Sequence, residues 1–101
     1  MMNVKNMRSP RTGREVANQF IINDVDNNIT VFQSYRSTII EIDRNNFVIR
    51  VHEDWNYSPT TSKYRNKFMC DEGFYNLATK KDFEEYMKIG TYKNFTIIKT
   101  F

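Results

Sequence analysis

The chain contains few of the residues that cross-link small domains, bind metals in them or form their turns. Its 101 residues include one cysteine, one histidine, three glycines and two prolines. With Cys70 alone, no intramolecular disulfide can form and no cysteine-rich metal site can be built. A histidine-based metal site needs further imidazoles or thiolates, so we interpret His52 as a surface strand residue. No metal and no cofactor are expected.

Long apolar segments are also missing. The longest apolar runs, such as Phe20 to Ile22, span a few residues, whereas a membrane-spanning helix needs about 20. The first residues show no apolar core of a signal peptide. Because a single cysteine also fits a reducing compartment, we expect the protein to be cytoplasmic.

Positive charge is concentrated at the start of the chain. The net charge is +3, but Met1 to Arg14 carries four basic residues and no acid, which leaves 11 basic and 12 acidic groups over the rest. We therefore interpret residues 1–10 as a basic, partly disordered arm ahead of a single domain over residues 11–101. A nucleic-acid-binding or partner-binding arm is the alternative.

Alternating apolar and polar side chains predict most of the secondary structure. Apolar residues make up 40% and aromatic residues 15% of the chain, which is enough for a packed core. One β-hairpin is predicted from Gln19–Asn23 and Ile29–Tyr35, and a second from Ser37–Ile42 and Phe47–His52. A closing strand is predicted over Tyr92–Phe101.

Two helices are predicted between the second hairpin and the closing strand. Ser58 before Pro59 is a typical N-cap with proline at the first helical position, and this helix is expected to end near Cys70. The second helix is expected to begin after Thr79 and to end before Gly90. Strands followed by helices predict an α+β fold, with an antiparallel sheet of about five strands and two helices packed on one face.

The stretch from Trp55 to Met69 combines hydroxyls, aromatic rings and cations. Capping of helix N–H groups explains Ser58, Thr60 and Thr61 without a ligand. The alternative is a contact surface, where a phosphate or an acidic side chain meets the helix end beside aromatic anchors. The candidate partner-binding residues are Trp55, Tyr57, Lys63, Tyr64 and Arg65. A core position remains the alternative for Tyr64.

Other polar clusters give weaker signals. Gln33 to Arg36 reads either as a hairpin corner or as part of the same contact surface. Adjacent carboxylates do not face each other on a helix, and Glu84 and Glu85 fit ordinary i,i+4 pairing with Lys88 and Lys81. Cys70 is expected to be packed near a helix end. No pair of residues offers a nucleophile with a base, so we predict no catalytic residues and no enzyme.

Part of the chain resembles a family of short, mostly uncharacterised proteins from phages, prophages and plasmids of Gram-positive bacteria. The resemblance is carried by Arg11–Gly13, Val16–Ile22, Phe32–Tyr35 and Trp55–Phe68. Residues from Asp71 onward lie outside this pattern. The resemblance implies a genetic setting in which small proteins without catalytic groups often bind a host protein or nucleoprotein, as anti-CRISPR proteins do.

These observations together predict a small, non-enzymatic binding protein of a mobile element. It would act in the bacterial host cytoplasm as an anti-CRISPR-like inhibitor that occludes a host nucleoprotein, such as a CRISPR effector. The alternatives are a nucleic-acid-binding accessory protein and a virion assembly protein that associates with itself. The candidate nucleic-acid-binding residues are Arg8, Arg11, Arg14, Lys63 and Lys67.

Overall fold

The computed structural model describes all 101 residues and contains one seven-stranded sheet and two α-helices. The strands are β1 (Met2–Arg8), β2 (Glu15–Asp24), β3 (Ile29–Ser34), β4 (Ser37–Asp43), β5 (Val48–Val51), β6 (Thr91–Tyr92) and β7 (Phe95–Lys99). The helices are α1 (Pro59–Asp71) and α2 (Lys80–Ile89), with a 3₁₀ turn over Tyr75–Leu77 between them. The predicted α+β class with two helices is confirmed.

The sheet is wider than predicted, and it is mixed. Its strand order is β1-β2-β3-β4-β5-β7-β6. All neighbouring strands are antiparallel except β5 and β7, which run parallel. The parallel pair arises because both helices lie between these strands in the chain and supply the long crossover that a parallel connection needs. The predicted antiparallel sheet of about five strands is roughly compatible with this sheet, which adds two strands and one parallel pair.

The N-terminal residues form an edge strand instead of the partly disordered arm that their charge suggested. Strand β1 pairs antiparallel with β2 from Met2 to Arg8, and Met7 is buried in the core. Asn and Lys residues interrupt the alternation of apolar and polar side chains in this segment. It therefore forms a strand because it pairs with β2. The connection between β1 and β2 is closed by hydrogen bonds between the backbones of Ser9 and Arg14 (2.8 Å) and of Gly13 and Ser9 (2.8 Å).

The core lies between the sheet and the helices. Phe32 of β3 stacks on Phe68 of α1 with ring centroids 5.6 Å apart, and both side chains are fully buried. Phe83 anchors α2 against the ring of Trp55 at the same centroid distance. Full burial of each phenylalanine stabilises the fold by about 2–3 kcal/mol, so these contacts fix both helices on the sheet.

An aspartate holds the turn between β4 and β5. The Asp43 carboxylate accepts hydrogen bonds from the backbone N–H of Asn46 (3.0 Å) and from its side-chain amide (2.9 Å). The side-chain hydrogen bond is the main cause that lowers the pKa of Asp43, against desolvation, with Arg50 adding a favourable charge at 3.8 Å. The turn is therefore built around the ionised carboxylate.

This turn should make stability sensitive to acid. A carboxylate with a lowered folded pKa stabilises the protein above its unfolded pKa of about 3.9, and this contribution is lost as the pH falls through the folded pKa. The Asp43→Asn variant should be less stable at neutral pH and should lose less further stability below about pH 4. Urea unfolding over a pH series measures this, with Glu53→Gln, an exposed carboxylate, as the control. Parallel pH profiles for wild type and Asp43→Asn would contradict the assignment.

Candidate functional site

Helix α1 begins with a complete N-cap. Ser58 Oγ accepts a hydrogen bond from the backbone N–H of Thr61 at 3.1 Å, and its carbonyl accepts from Ser62 at 2.9 Å. Pro59 has no N–H to satisfy. The prediction that Ser58 caps this helix is confirmed. The N–H of Thr60 has no acceptor within the chain, because Ser58 accepts from the N–H groups of the two residues that follow Thr60.

A buried hydrogen bond ties the start of α1 to the end of β3. The hydroxyls of Ser34 and Thr61 lie 3.0 Å apart, and both side chains are buried. Directly after Ser34, Tyr35 and Arg36 form the two-residue turn that leads into β4. The hydrogen bond therefore holds this turn beside the first turn of the helix.

A groove opens between this turn and the start of α1. Its volume is about 850 Å³, within the range of about 300–1,000 Å³ typical of ligand sites. Tyr35 and Arg36 line one side, Tyr57 and Thr60 line the helix side, and Phe20 of β2 contributes apolar surface. The side chains of Tyr57 and Tyr35 are large and accessible, because these residues are 74% and 49% exposed.

The charged groups of the groove are one cation and one acid. The Asp54 carboxylate accepts a hydrogen bond from Ser37 Oγ at 2.8 Å. Arg36 is exposed and takes part in no ion pair within the chain. Its guanidinium is therefore available for an external carboxylate or phosphate, which it can hold through two parallel hydrogen bonds.

Tyr35 occupies a backbone conformation that is unusual for a bulky residue. Its φ is 56°, in the left-handed region, at a hairpin position that usually carries Gly or Asn. The neighbouring Asn18 has a φ of 65°, and its carbonyl accepts a 2.6 Å hydrogen bond from the Tyr35 N–H. A left-handed non-glycine residue costs about 1–2 kcal/mol, and such strain concentrates at functional sites. The fold thus maintains a strained tyrosine at the edge of the groove.

The predicted partner-binding residues do not form one surface. Tyr57 alone lines the groove, while Lys63 is exposed farther along α1 with its Nζ 5.5 Å from the ring of Tyr64. Tyr64 and Arg65 are buried, and Trp55 is half-buried. Tyr64 and Arg65 therefore cannot act as surface anchors, because their side chains fill the space under α1.

Arg65 serves the core instead. Its guanidinium lies 5.2 Å from the ring of Trp55 and 5.3 Å from that of Phe83. It donates hydrogen bonds to the Trp55 carbonyl (2.7 Å) and to Asn66 Oδ1 (3.0 Å), and its Nε has no partner. No carboxylate lies within ion-pair distance, and burial lowers the pKa of Arg65 to about 10. At neutral pH the side chain is a buried cation held by rings and a carbonyl.

The candidate nucleic-acid-binding residues lie in two regions, near the start of β2 and on α1. All three of Arg8, Arg11 and Arg14 are exposed: Arg8 is the last residue of β1, and the other two lie on the connection to β2. Arg8 Nη1 donates to the carbonyl of Gly13 at 2.9 Å. We call these three residues the arginine hairpin. On α1, Lys63 is exposed. A second α1 lysine, Lys67, is half-buried and pairs with Asp71 in the same helix.

The single histidine and the single cysteine both lie outside the groove. His52 is half-buried, and its ring contacts Glu41 Oε1 at 2.9 Å and Thr100 Oγ1 at 3.2 Å. Cys70 is exposed, which corrects the expectation that it packs near the helix end.

The structure contains no group of three or more His, Cys, Asp or Glu residues that could hold a metal ion. Neither α-helix has the length and apolar character that a membrane-spanning helix needs.

Sequence comparison places these features in a family. A family model, described as a family of unknown function (DUF8033), matches residues 2–85. The chain belongs to the DUF8033 family. The DUF8033 match contains the arginine hairpin, the entire groove and most of α2, whereas β6 and β7 lie beyond it. The match also includes residues 71–85, which the resemblance drawn from the sequence does not cover. Searches of curated proteins and of solved structures give no match.

Sequence reasoning left open whether Tyr35 and Arg36 belong to a hairpin corner or to the contact surface, and it did not select them among the candidate site residues. The first of the two flanking strands was predicted to run to Tyr35, but it ends at Ser34 and the next begins at Ser37, which leaves a two-residue turn. A tight hairpin of this length normally carries Gly, Asn or Asp, so a Tyr-Arg pair there indicates a strained turn. Their position next to Tyr57 depends on the packing of α1 against β3, which no local pattern reveals.

Proposed function

We propose that this DUF8033 protein is a non-enzymatic binding protein that docks a partner in the groove between the β3–β4 turn and α1. One observation carries the proposal: two exposed tyrosines and an arginine without an ion pair surround a single groove of about 850 Å³. Tyrosine and arginine are among the residues that contribute most to protein interfaces. Tyrosine also loses little conformational entropy on binding, since it has only two side-chain torsions.

The chemistry of the groove specifies the partner's surface. Arg36 fits a carboxylate or phosphate, and the rings of Tyr35 and Tyr57 fit an apolar or planar group beside it. The N–H of Thr60 offers one further donor at the positive end of the helix dipole. The ligand is therefore a segment of a protein or nucleoprotein that presents an acidic group next to an apolar one.

The resemblance to phage and plasmid proteins supports a partner from the host cell. In this proposal the protein acts in the bacterial cytoplasm as an anti-CRISPR-like inhibitor. When bound, the protein would cover a functional surface of a host nucleoprotein such as a CRISPR effector. Occlusion of this kind requires affinity and shape but no catalytic group, which agrees with the groove's composition.

A capture experiment tests this proposal. The chain is immobilised and exposed to host lysate with and without nuclease, in three forms: wild type, Arg36→Ala with Tyr57→Ala, and a control. The control is Lys88→Ala with Tyr75→Ala, which removes an exposed cation and an exposed tyrosine outside the groove. We expect one protein to be retained by wild type and control after nuclease treatment and lost from the groove variant. Equal retention by all three forms would contradict the proposal.

The arginine hairpin supports a second candidate function, binding of nucleic acid. Its three exposed arginines lie close together in the chain, at the end of β1 and on the connection to β2, and no acidic residue lies between them. If all three contact phosphates of double-stranded DNA, the logarithm of the binding constant should fall with the logarithm of salt concentration with a slope of about −2.7. Replacement of Arg8, Arg11 and Arg14 by alanine should abolish this slope, as measured by fluorescence anisotropy. Absence of DNA binding at low salt would remove this candidate.

A further inference from the structure

The two edges of the sheet differ greatly in length. Strand β6 forms one edge with only two residues, whereas β1 forms the other with seven. Short edges limit pairing with other chains, and long free edges invite it. The β1 edge contains no proline, and its only irregularity against β2 lies between Asn6 and Arg8. Residues Met2 to Asn6 therefore form a regular, unpaired edge.

The backbone groups that face outward can be identified from the register. Met1 lies opposite Val25, and its carbonyl accepts the Val25 N–H at 3.0 Å. In an antiparallel ladder, every second residue exchanges both of its hydrogen bonds with the same partner strand. Met1, Asn3 and Lys5 therefore bond to β2. The remaining residues, Met2, Val4 and Asn6, direct their N–H and C=O groups away from the sheet.

Two side chains along this edge are apolar and accessible. Met2 and Val4 are 69% and 60% exposed. Val4 lies opposite Ile22, and Ile22 lies opposite Val31, all on the sheet face that carries no helix. This apolar strip stops at the free edge of β1, where nothing in the chain covers it.

We propose that two copies of the chain pair through β1, antiparallel, with the two-fold axis at Val4. This register sets Val4 opposite Val4 and Met2 opposite Asn6 of the second copy, so all three outward-facing residues of each copy gain hydrogen-bond partners. It also sets Lys5 opposite the uncharged Asn3. A register centred on Lys5 would place two ammonium groups opposite each other and would need backbone groups already bonded to β2.

A second copy fits this edge because the edge is self-complementary. The outward residues are symmetric about Val4, and the apolar strip of one copy continues into that of the other. The result is a continuous sheet of twice the width, with the Val4 side chains in contact across the axis. The groove at α1 and the arginine hairpin take no part in the pairing.

Sedimentation velocity tests the pairing. The wild-type chain should approach twice its mass of 12.2 kDa as the concentration is raised to about 0.1 mM. Val4→Lys should remain at 12.2 kDa, because it places like charges at the axis. The matched control Val25→Lys adds the same charge at an exposed apolar residue off the β1 edge and should still dimerise. Circular dichroism checks that both variants are folded.

Cross-linking tests the register. In a Cys70→Ser background, Val4→Cys should form an intermolecular disulfide on mild oxidation, because directly opposed residues have Cα atoms about 5.5 Å apart. Val25→Cys in the same background should not, because the two copies of residue 25 lie at opposite ends of the paired strands. A monomeric wild type at every concentration, a dimer that survives Val4→Lys, or equal cross-linking at both positions would overturn the proposal. Pairing of β1 only with a strand of another protein would overturn it as well.

Discussion

Replacing Arg65 by alanine is expected to lower the free energy of unfolding by about 3–5 kcal/mol. The side chain is fully buried between the rings of Trp55 and Phe83. Its removal leaves a cavity there and takes the donor away from the Trp55 carbonyl. Since these contacts join α1, the loop before it and α2, the loss should appear in one cooperative transition, measured by urea unfolding.

The matched substitution Arg65→Met separates packing from charge. Methionine fills most of the same volume, and it removes the desolvation cost of a buried cation. We expect the free energy of unfolding of Arg65→Met to lie within about 1.5 kcal/mol of wild type. If methionine proves as damaging as alanine, the guanidinium hydrogen bonds hold this region together, and the packing argument fails.

Replacing Tyr57 by alanine is expected to weaken partner binding by about 2 kcal/mol, or roughly 30-fold in the dissociation constant. The side chain is 74% exposed and lines the groove, so truncation should leave the free energy of unfolding within about 0.5 kcal/mol of wild type. Isothermal titration calorimetry with the captured partner measures the affinity, and urea unfolding measures stability.

Tyr75 supplies the control for this prediction. It is 69% exposed, in the 3₁₀ turn, and does not line the groove. Tyr75→Ala should bind the partner with wild-type affinity. If Tyr75→Ala weakens binding as much as Tyr57→Ala does, the partner does not select the groove.

Local patterns in the sequence account for most of the fold. Alternation places β2 to β5, and the Ser58-Pro59 pair marks the start of α1 correctly. The parallel pairing of β7 with β5 was missed, because it depends on where the chain returns after two helices. Strand β1 was missed because its Asn and Lys residues obscure the alternation, and its pairing with β2 supplies the missing stabilisation.

The site was harder to predict than the fold. Arg65 carries a charge, which argues for the surface, yet two aromatic rings and a backbone carbonyl hold it in the core. Of the predicted partner-binding residues, Tyr57 is the one that the structure places on the surface beside the groove. Its neighbours Tyr35 and Arg36 come from the turn between β3 and β4, and the contact between Ser34 and Thr61 that brings them together joins residues far apart in the chain.

Amide hydrogen exchange on the complex with the captured partner tests the central claim most directly. Binding in the groove predicts new protection at residues 34–37 and 57–61, with exchange in the arginine hairpin unchanged. Protection confined to residues 8–14, or to β1, with the groove exchanging as in the free protein, would contradict the assignment of the groove as the docking surface.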